Sequence, residues 1–312
     1  MKYFIILFCL LVAPFVAVAN EAKNIAPQHH LGNQYLYQVK LDMDIDQNIE
    51  TPEKAQIQYR IHIASNAEIA VNQVNEDNSA ELQVKLIKPQ MQFSVKNLSS
   101  DNDLFNISFD STKEDDQTVP FLQFIYPITN CLDGIQFTVM VDSNGHITDL
   151  KDLDAARQKV EKELAVAVPE NIRQQICAAI ESELLTKNFT FYTHYLPDHP
   201  VKIGDQWMGK KTEIGLGDDA PWTMSEADGN KYKIARTYTS NGEQLGQFID
   251  INIFEKMKMD VSETLNIDKT SHLLLSNQTS VKFDAHQKMP LPDGREFDGE
   301  YAMSIHFSLI KQ

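Results

Sequence analysis

Six apolar residues, Tyr35, Tyr37, Val39, Leu41, Met43 and Ile45, alternate with polar ones over a single stretch, and this period of two constrains the fold more than any other feature. Successive side chains of a β-strand point to opposite faces, so the pattern predicts a strand with one buried and one wet face. Ile57, Tyr59, Ile61 and Ile63 repeat it, as do Leu82, Val84 and Leu86, then Ile135, Phe137, Val139 and Val141. It returns late in the chain at Ile249, Ile251 and Ile253, at Met257, Met259 and Val261, at Leu273 and Leu275, at Val281 and Phe283, and at Tyr301, Met303, Ile305, Phe307 and Leu309. Turn pairs at Asp228-Gly229, Asn241-Gly242 and Asp293-Gly294 separate several of these runs.

Between the two sets the period changes. From Leu153 the apolar residues fall at Ala156, Val160, Leu164, Val168, Ile172, Ile176, Ile180 and Leu184, spacings of three and four that form one helical stripe. Pro169 interrupts the stripe, which predicts a pair of helices with the proline in the first turn of the second. The expected fold is therefore mainly β (α+β), with curved antiparallel sheets from two strand-rich halves, residues 34–150 and 189–312, and a helical pair at 151–188 inserted between them. Residues 20–33 lack periodicity and read as a flexible N-terminal tail.

The first nineteen residues carry an address. Lys2 precedes an apolar run from Tyr3 to Val18 that ends in Ala17-Val18-Ala19, the small-x-small pattern of a cleaved signal peptide. Pro14 breaks the run, which is shorter than the ~20 residues of a spanning helix, so export is expected, with no transmembrane helix in the mature chain. The chain has 44 acidic against 28 basic residues and a net charge of −16, a balance that disfavours nucleic acid and anionic membrane surfaces as partners.

Candidate sites are few. Outside the leader the cysteines are Cys131 and Cys177, which an oxidising compartment could bridge, or which could remain two core thiols. Asp42, Asp44, Asp46, Asn48, Glu50 and Glu53 have the ligand arithmetic of a calcium loop. Gln47 stands where that loop turns on Gly, and the alternation of the flanking residues favours a strand whose wet face carries three aspartates. His194, Asp198 and His199 gather metal-ligand types within six residues, but Pro197 and Pro200 hold this stretch extended, and the pair His29-His30 offers only weak metal binding. No GxSxG, SxxK, HExxH or phosphate loop occurs, Cys177 falls on the apolar side of its predicted helix, and the Asp218-Asp219 pair lies in a Gly-rich loop. No cofactor is expected. Four sequons, at Asn97, Asn106, Asn188 and Asn277, matter only in a eukaryotic host.

Two heptapeptides echo one another: Val141-Asp-Ser-Asn-Gly-His-Ile147 and Ile267-Asp-Lys-Thr-Ser-His-Leu273, each read as strand, tight turn, strand. Because hairpins demand such residues anyway, the echo leaves duplication open. With the block Pro200-Val-Lys-Ile-Gly-Asp-Gln-Trp207, these turns resemble an uncharacterised family of exported bacterial proteins in which a Pro-Val-x-x-Gly-Asp-x-Trp block follows a helical insert. The resemblance implies a periplasmic protein of the cell envelope and supplies no catalytic residues. The reading it supports is a non-enzymatic binding protein for a lipid-like ligand or an envelope protein partner, with Tyr35, Tyr37, Trp207 and Trp222 as candidate ligand contacts. The alternatives are an exported hydrolase assembled around His194 and His199, and a scaffold subunit presenting a sheet edge.

Overall fold

The alternating runs become strands of unusual length. The computed structural model describes residues 22–51, 54–99, 107–112, 127, 130–165, 169–170, 173–174, 177, 195–209, 220–226, 229–241, 254–290 and 294–312. The strands are β1 (Gln34–Thr51), β2 (Ala55–Val74), β3 (Ala80–Asn97), β4 (Ile107–Asp110), β5 (Gln136–Val141), β6 (Ile147–Lys151), β7 (Gln206–Trp207), β8 (Trp222–Glu226), β9 (Lys231–Asn241), β10 (Phe254–Asp268), β11 (Leu274–Pro290) and β12 (Glu296–Lys311). At 18 residues β1 runs roughly 60 Å, against a usual strand of about five or six residues.

All twelve strands join one antiparallel sheet, in the order β6, β5, β3, β2, β1, β12, β11, β10, β9, β8, β7, with β4 on the far part of β3. The expected separation into two halves is replaced by a continuous sheet, because β1 pairs with both β2 and β12 along nearly its whole length, Tyr37 opposite Lys311 and Ile49 opposite Gly299. Each half meanders outward from this seam, and neither has an edge left at the centre.

Within the described residues the first of the expected pair is the one continuous helix, α1 (Leu153–Leu164). Its stripe residues Leu153, Ala156, Val160 and Leu164 are all buried, as the spacing requires. The predicted second helix lies largely outside the described residues, though Glu170, Arg173, Gln174 and Cys177 are themselves helical. The leader, Glu53, Asn106, Asn188, His194, Asp218-Asp219 and the run Ile249, Ile251, Ile253 also lie outside them. Among the described residues no helix is long and apolar enough to cross a membrane.

The core is concentrated at one end of the sheet, here called the packed end. One cluster there joins Tyr35, Tyr37, Val71, Leu82, Val84, Phe137 and Val139 to the buried face of α1. A second joins Tyr195, Leu196, Val201, Trp207, Trp222, Ile234, Leu265 and Ile267. Both echoing turns lie at this end, closing the β5–β6 and β10–β11 hairpins. In each the aspartate accepts from the turn backbone: Asp142 Oδ1 from the amides of Asn144 and His146, and Asp268 Oδ1 from those of Thr270 and Ser271. These bonds hold the carboxyl of Asp268 below its ordinary range, the Ser271 amide contributing most.

Residues 22–33, expected as a loose tail, form a strap across the packed end. Lys23 exchanges two backbone hydrogen bonds with Val201, Gln28 donates to the carbonyl of Ser271, and Gly32 donates to that of Val71. Ile25 is fully buried in the second cluster. A single buried isoleucine, preceded by Asn24 and followed by Ala26 and Pro27, has no period to betray it, which is why alternation alone gave no sign of this anchor.

At the β5–β6 turn Gly145 has φ +84, and a Cβ there would lie 2.5 Å from Pro27 Cδ. Gly204 has φ +93 but open space around it. Gly204→Ala should therefore cost only the left-handed backbone, about 1 kcal/mol, whereas Gly145→Ala should cost about 1–3 kcal/mol more through the clash with the strap; equal shifts in urea midpoint would contradict this. Burial is the main cause that lowers the imidazoles of His29 and His272 below their ordinary 6.5. The unfolded chain then binds those protons first, so stability is complete above about pH 6.5 and falls as pH drops towards the lowered values. His272→Gln should flatten the fall in melting temperature measured between pH 7.5 and 5.5.

Candidate functional site

Away from the packed end, the same face of the sheet carries apolar rows that the fold leaves half-buried. Strand register sets them side by side: Phe93, Ile61, Met43, Ile305, Val281, Val261 and Tyr238 are direct cross-strand neighbours from β3 to β9. Two residues further along lie Val95, Tyr59, Ile45, Met303, Phe283 and Met259. Two residues nearer the packed end lie Met91, Ile63, Leu41 and Phe307. At the strand spacing and rise of a sheet the longest row spans roughly 29 Å, and the three rows together cover roughly 14 Å along the strands. On β1 and β2 none of these side chains is buried and Ile63 is 36 % exposed, whereas Tyr35 and Tyr37 on the same face are 8 % and 5 % exposed. Towards β10 and β11 the rows are tighter, with Met257, Phe283 and Ala285 buried together.

One ionic feature interrupts this face. Opposite one another on β9 and β10, Arg236 and Glu263 form a salt bridge of 2.5 Å with side chains 2 % and 1 % exposed. The guanidinium lies 4.4 Å from the Trp222 ring centre and 5.0 Å from that of Tyr238. Desolvating both charges is tolerable only because each supplies the other's counter-charge, and the aromatic faces favour the cation further.

The far margin of the apolar rows is polar but uncharged. Gln47, 8 % exposed, donates through Nε2 to Tyr301 Oη at 2.6 Å, and Tyr301 donates in turn to Gln287 Oε1 at 2.6 Å. Tyr59 Oη reaches Gln47 Oε1 at 3.4 Å. Burial, with Tyr59 alongside, raises the Tyr301 phenol.

The opposite face is charged and self-paired. Asp42, Asp44, Asp46 and Asn48 follow one another along β1 on this side, so they form a line and do not converge as calcium ligands would. Arg60 bridges Asp44 at 2.9 Å and Asp46 at 3.2 Å, and His62 Nδ1 bonds Asp42. A groove of about 720 Å³ runs over Asp42, Asp44, Arg60, His62 and His306. Among the described residues no group of three or more His, Cys, Asp or Glu is gathered as a metal would need. His199 is exposed. Its neighbour Asp198 lies 3.8 Å from His146 Nδ1, while the other ring nitrogen of His146 is 3.3 Å from the Leu196 carbonyl.

The four aromatics singled out from the sequence belong to the packed end. Trp207 and Trp222 face each other across β7 and β8, and Trp207 Nε1 donates to the Tyr195 carbonyl at 2.8 Å. Tyr37 donates to the Leu274 carbonyl at 2.9 Å, and Lys311 Nζ lies 4.7 Å from the Tyr35 ring centre. They tie strands together and are remote in register from Met43 and Ile45. The residues that do form the apolar rows were visible as alternation, but their lateral alignment was not.

Cys131 and Cys177 are not bridged, although Cys177 packs against the cluster that buries Cys131. Burial pushes the Cys131 thiol up to about 11, with Glu163 adding to the effect. Of the sequon asparagines, Asn277 is 4 % exposed within β11 and Asn97 ends β3.

The profile of a family of unknown function (DUF6263) matches residues 84–280. No curated protein matches the chain. Among solved structures, one described as "lipid-protein interactions in lipovitellin" aligns with 91 % of this chain at 10 % identity and a TM-score of 0.45, and the chain spans only 25 % of that protein's length. The outer membrane protein OprG from Pseudomonas aeruginosa aligns with 92 % of this chain and 99 % of its own, at 7 % identity and a TM-score of 0.25. DynF from the dynemicin biosynthesis pathway of Micromonospora chersina covers 96 % of this chain and 89 % of its own, at 9 % identity and a TM-score of 0.18.

Removing one partner of the buried ion pair leaves the other charge desolvated. Glu263→Gln should cost about 3–5 kcal/mol in denaturant melts, while the double replacement Arg236→Met with Glu263→Leu should recover most of that loss; a mild single variant would show that the pair is hydrated.

Proposed function

The chain belongs to this family of unknown function, and we propose that it is an exported, non-enzymatic binding protein of the cell envelope that holds an apolar, lipid-like ligand against the far part of its sheet. The observation that carries the reading is the row from Phe93 to Val281, five neighbouring strands whose apolar side chains are aligned in register yet only half-buried. Soluble proteins seldom leave an apolar patch of several hundred Å² without a use for it. Covering the row with hydrocarbon removes more apolar surface from water, at about 25 cal/mol per Å².

The leader Met1–Ala19 supports export, and the acidic composition and the paired charges of the other face suit a surface turned to water. The packed end supplies the rigid base: α1, the strap and the tryptophan pair fix the strands, and the register they set carries through to the far rows. Binding to such a preformed surface orders little of the chain and so loses little affinity to entropy.

Protein purified from its native envelope should carry extractable amphiphile detectable by mass spectrometry. Met43→Asp and Ile61→Asp, central in the row, should each lower affinity for an added apolar fluorophore by about tenfold or more, because an unpaired carboxylate would be desolvated beneath the ligand, with unchanged circular dichroism. Protein repeatedly recovered without cargo, and indifferent to added lipid, would sink the proposal.

A further inference from the structure

Gln47 is a buried amide at the margin of a face that is otherwise hydrocarbon, and its hydrogen bonding is incomplete. A glutamine side chain offers two donor hydrogens and an acceptor with two lone pairs. Among the described residues Gln47 uses one donor, to Tyr301, and accepts one long bond of 3.4 Å from Tyr59. One N–H and one lone pair remain, on a side chain only 8 % exposed, next to the row of Ile45 and Met303. Both polar atoms of the amide already have a partner, and the spare N–H and lone pair suit a group that both donates and accepts.

Charge at the same margin narrows the chemistry. Gln47, Tyr59, Tyr301 and Gln287 are all neutral, and along the described rows from Leu41 to Gln47 the cation on this face is Arg236, already neutralised by Glu263. An ionised carboxylate or phosphate would lose its hydration here without gaining a counter-charge, and as a pure acceptor it would meet the Gln47 oxygen lone pair unfavourably. A hydroxyl or an amide carries no such penalty.

From this geometry we infer that the ligand is a neutral amphiphile, lying with its chain along the Met43 and Ile45 rows and its uncharged, hydrogen-bonding head at Gln47. The inference rests on the apolar-ligand reading and adds the class and orientation of the ligand. It also gives Gln47 a role as the residue that selects the head, with Tyr301 fixing the amide from behind through its hydroxyl.

The test uses the leaderless protein from Asn20 to Gln312 and displacement of bound N-phenyl-1-naphthylamine by dodecanol, dodecanoate and dodecane at pH 8. Dodecanol is expected to displace the probe best. In Gln47→Leu its advantage over dodecane should fall by about tenfold, the loss of a buried hydrogen-bonding partner, while dodecane itself is unaffected; Gln47→Met serves if the leucine variant does not fold. Two results would overturn the inference and leave the carrier reading standing: dodecanoate displacing as well as dodecanol, or an alcohol preference undiminished in the glutamine variants. A wild-type protein that binds neither the probe nor any of the three chains would overturn both.

Discussion

The pairing of the first strand with the last holds the rest of the structure in place. β1 lies between β2 and β12 in unbroken register for more than a dozen residues, so the beginning of the ordered chain and its end share one ladder. Without that seam each half would be a meander with a long, bare central edge, an invitation to pair with another chain. With it, the strands on either side inherit one common alignment, and apolar side chains from β3 to β10 meet in rows.

Burial then varies along the strands more than across them. At the packed end the apolar face is covered by α1, by the strap through Ile25 and by residues 195–207, and here the side chains are buried. Towards the far end the same alternation continues, but its residues are only half-buried. A strand of 18 or 20 residues is several times longer than a small core can cover, so its outer part either pairs with a ligand or leaves hydrocarbon in water. The buried Arg236–Glu263 pair lies at the transition between the two regions, and the neutral belt around Gln47 marks the outer limit. Between them lie the half-buried apolar rows.

Much of this was legible in single residues. The alternation from Tyr35 to Ile45 predicts the strand and its two faces correctly, including the three aspartates on the wet side, and the stripe Leu153, Ala156, Val160, Leu164 predicts the buried side of α1. The strap was not legible: Ile25 is one large apolar residue in a stretch without a repeat, and its burial depends on Val201 and Ser271, far away in the chain. Trp207 and Trp222 illustrate a different difficulty. Their size marks them as important, yet size cannot distinguish a ligand contact from the pair that ties β7 to β8.

What the sequence determined by itself is therefore local: which residues are strand, which face of each is apolar, where the helix lies, and that the net charge is acidic. Periodicity fixes these because the backbone geometry of a strand or helix acts over a few residues. Only the tertiary structure decided that both halves form one sheet, that Met43 meets Ile61 on one side and Ile305 on the other, and that a glutamine ends up enclosed by two tyrosines. Register between strands is set by packing and hydrogen bonds among residues far apart in the chain, as between Tyr37 and Lys311, separated by 274 positions. No local pattern encodes that distance, and the aligned apolar rows exist only through it.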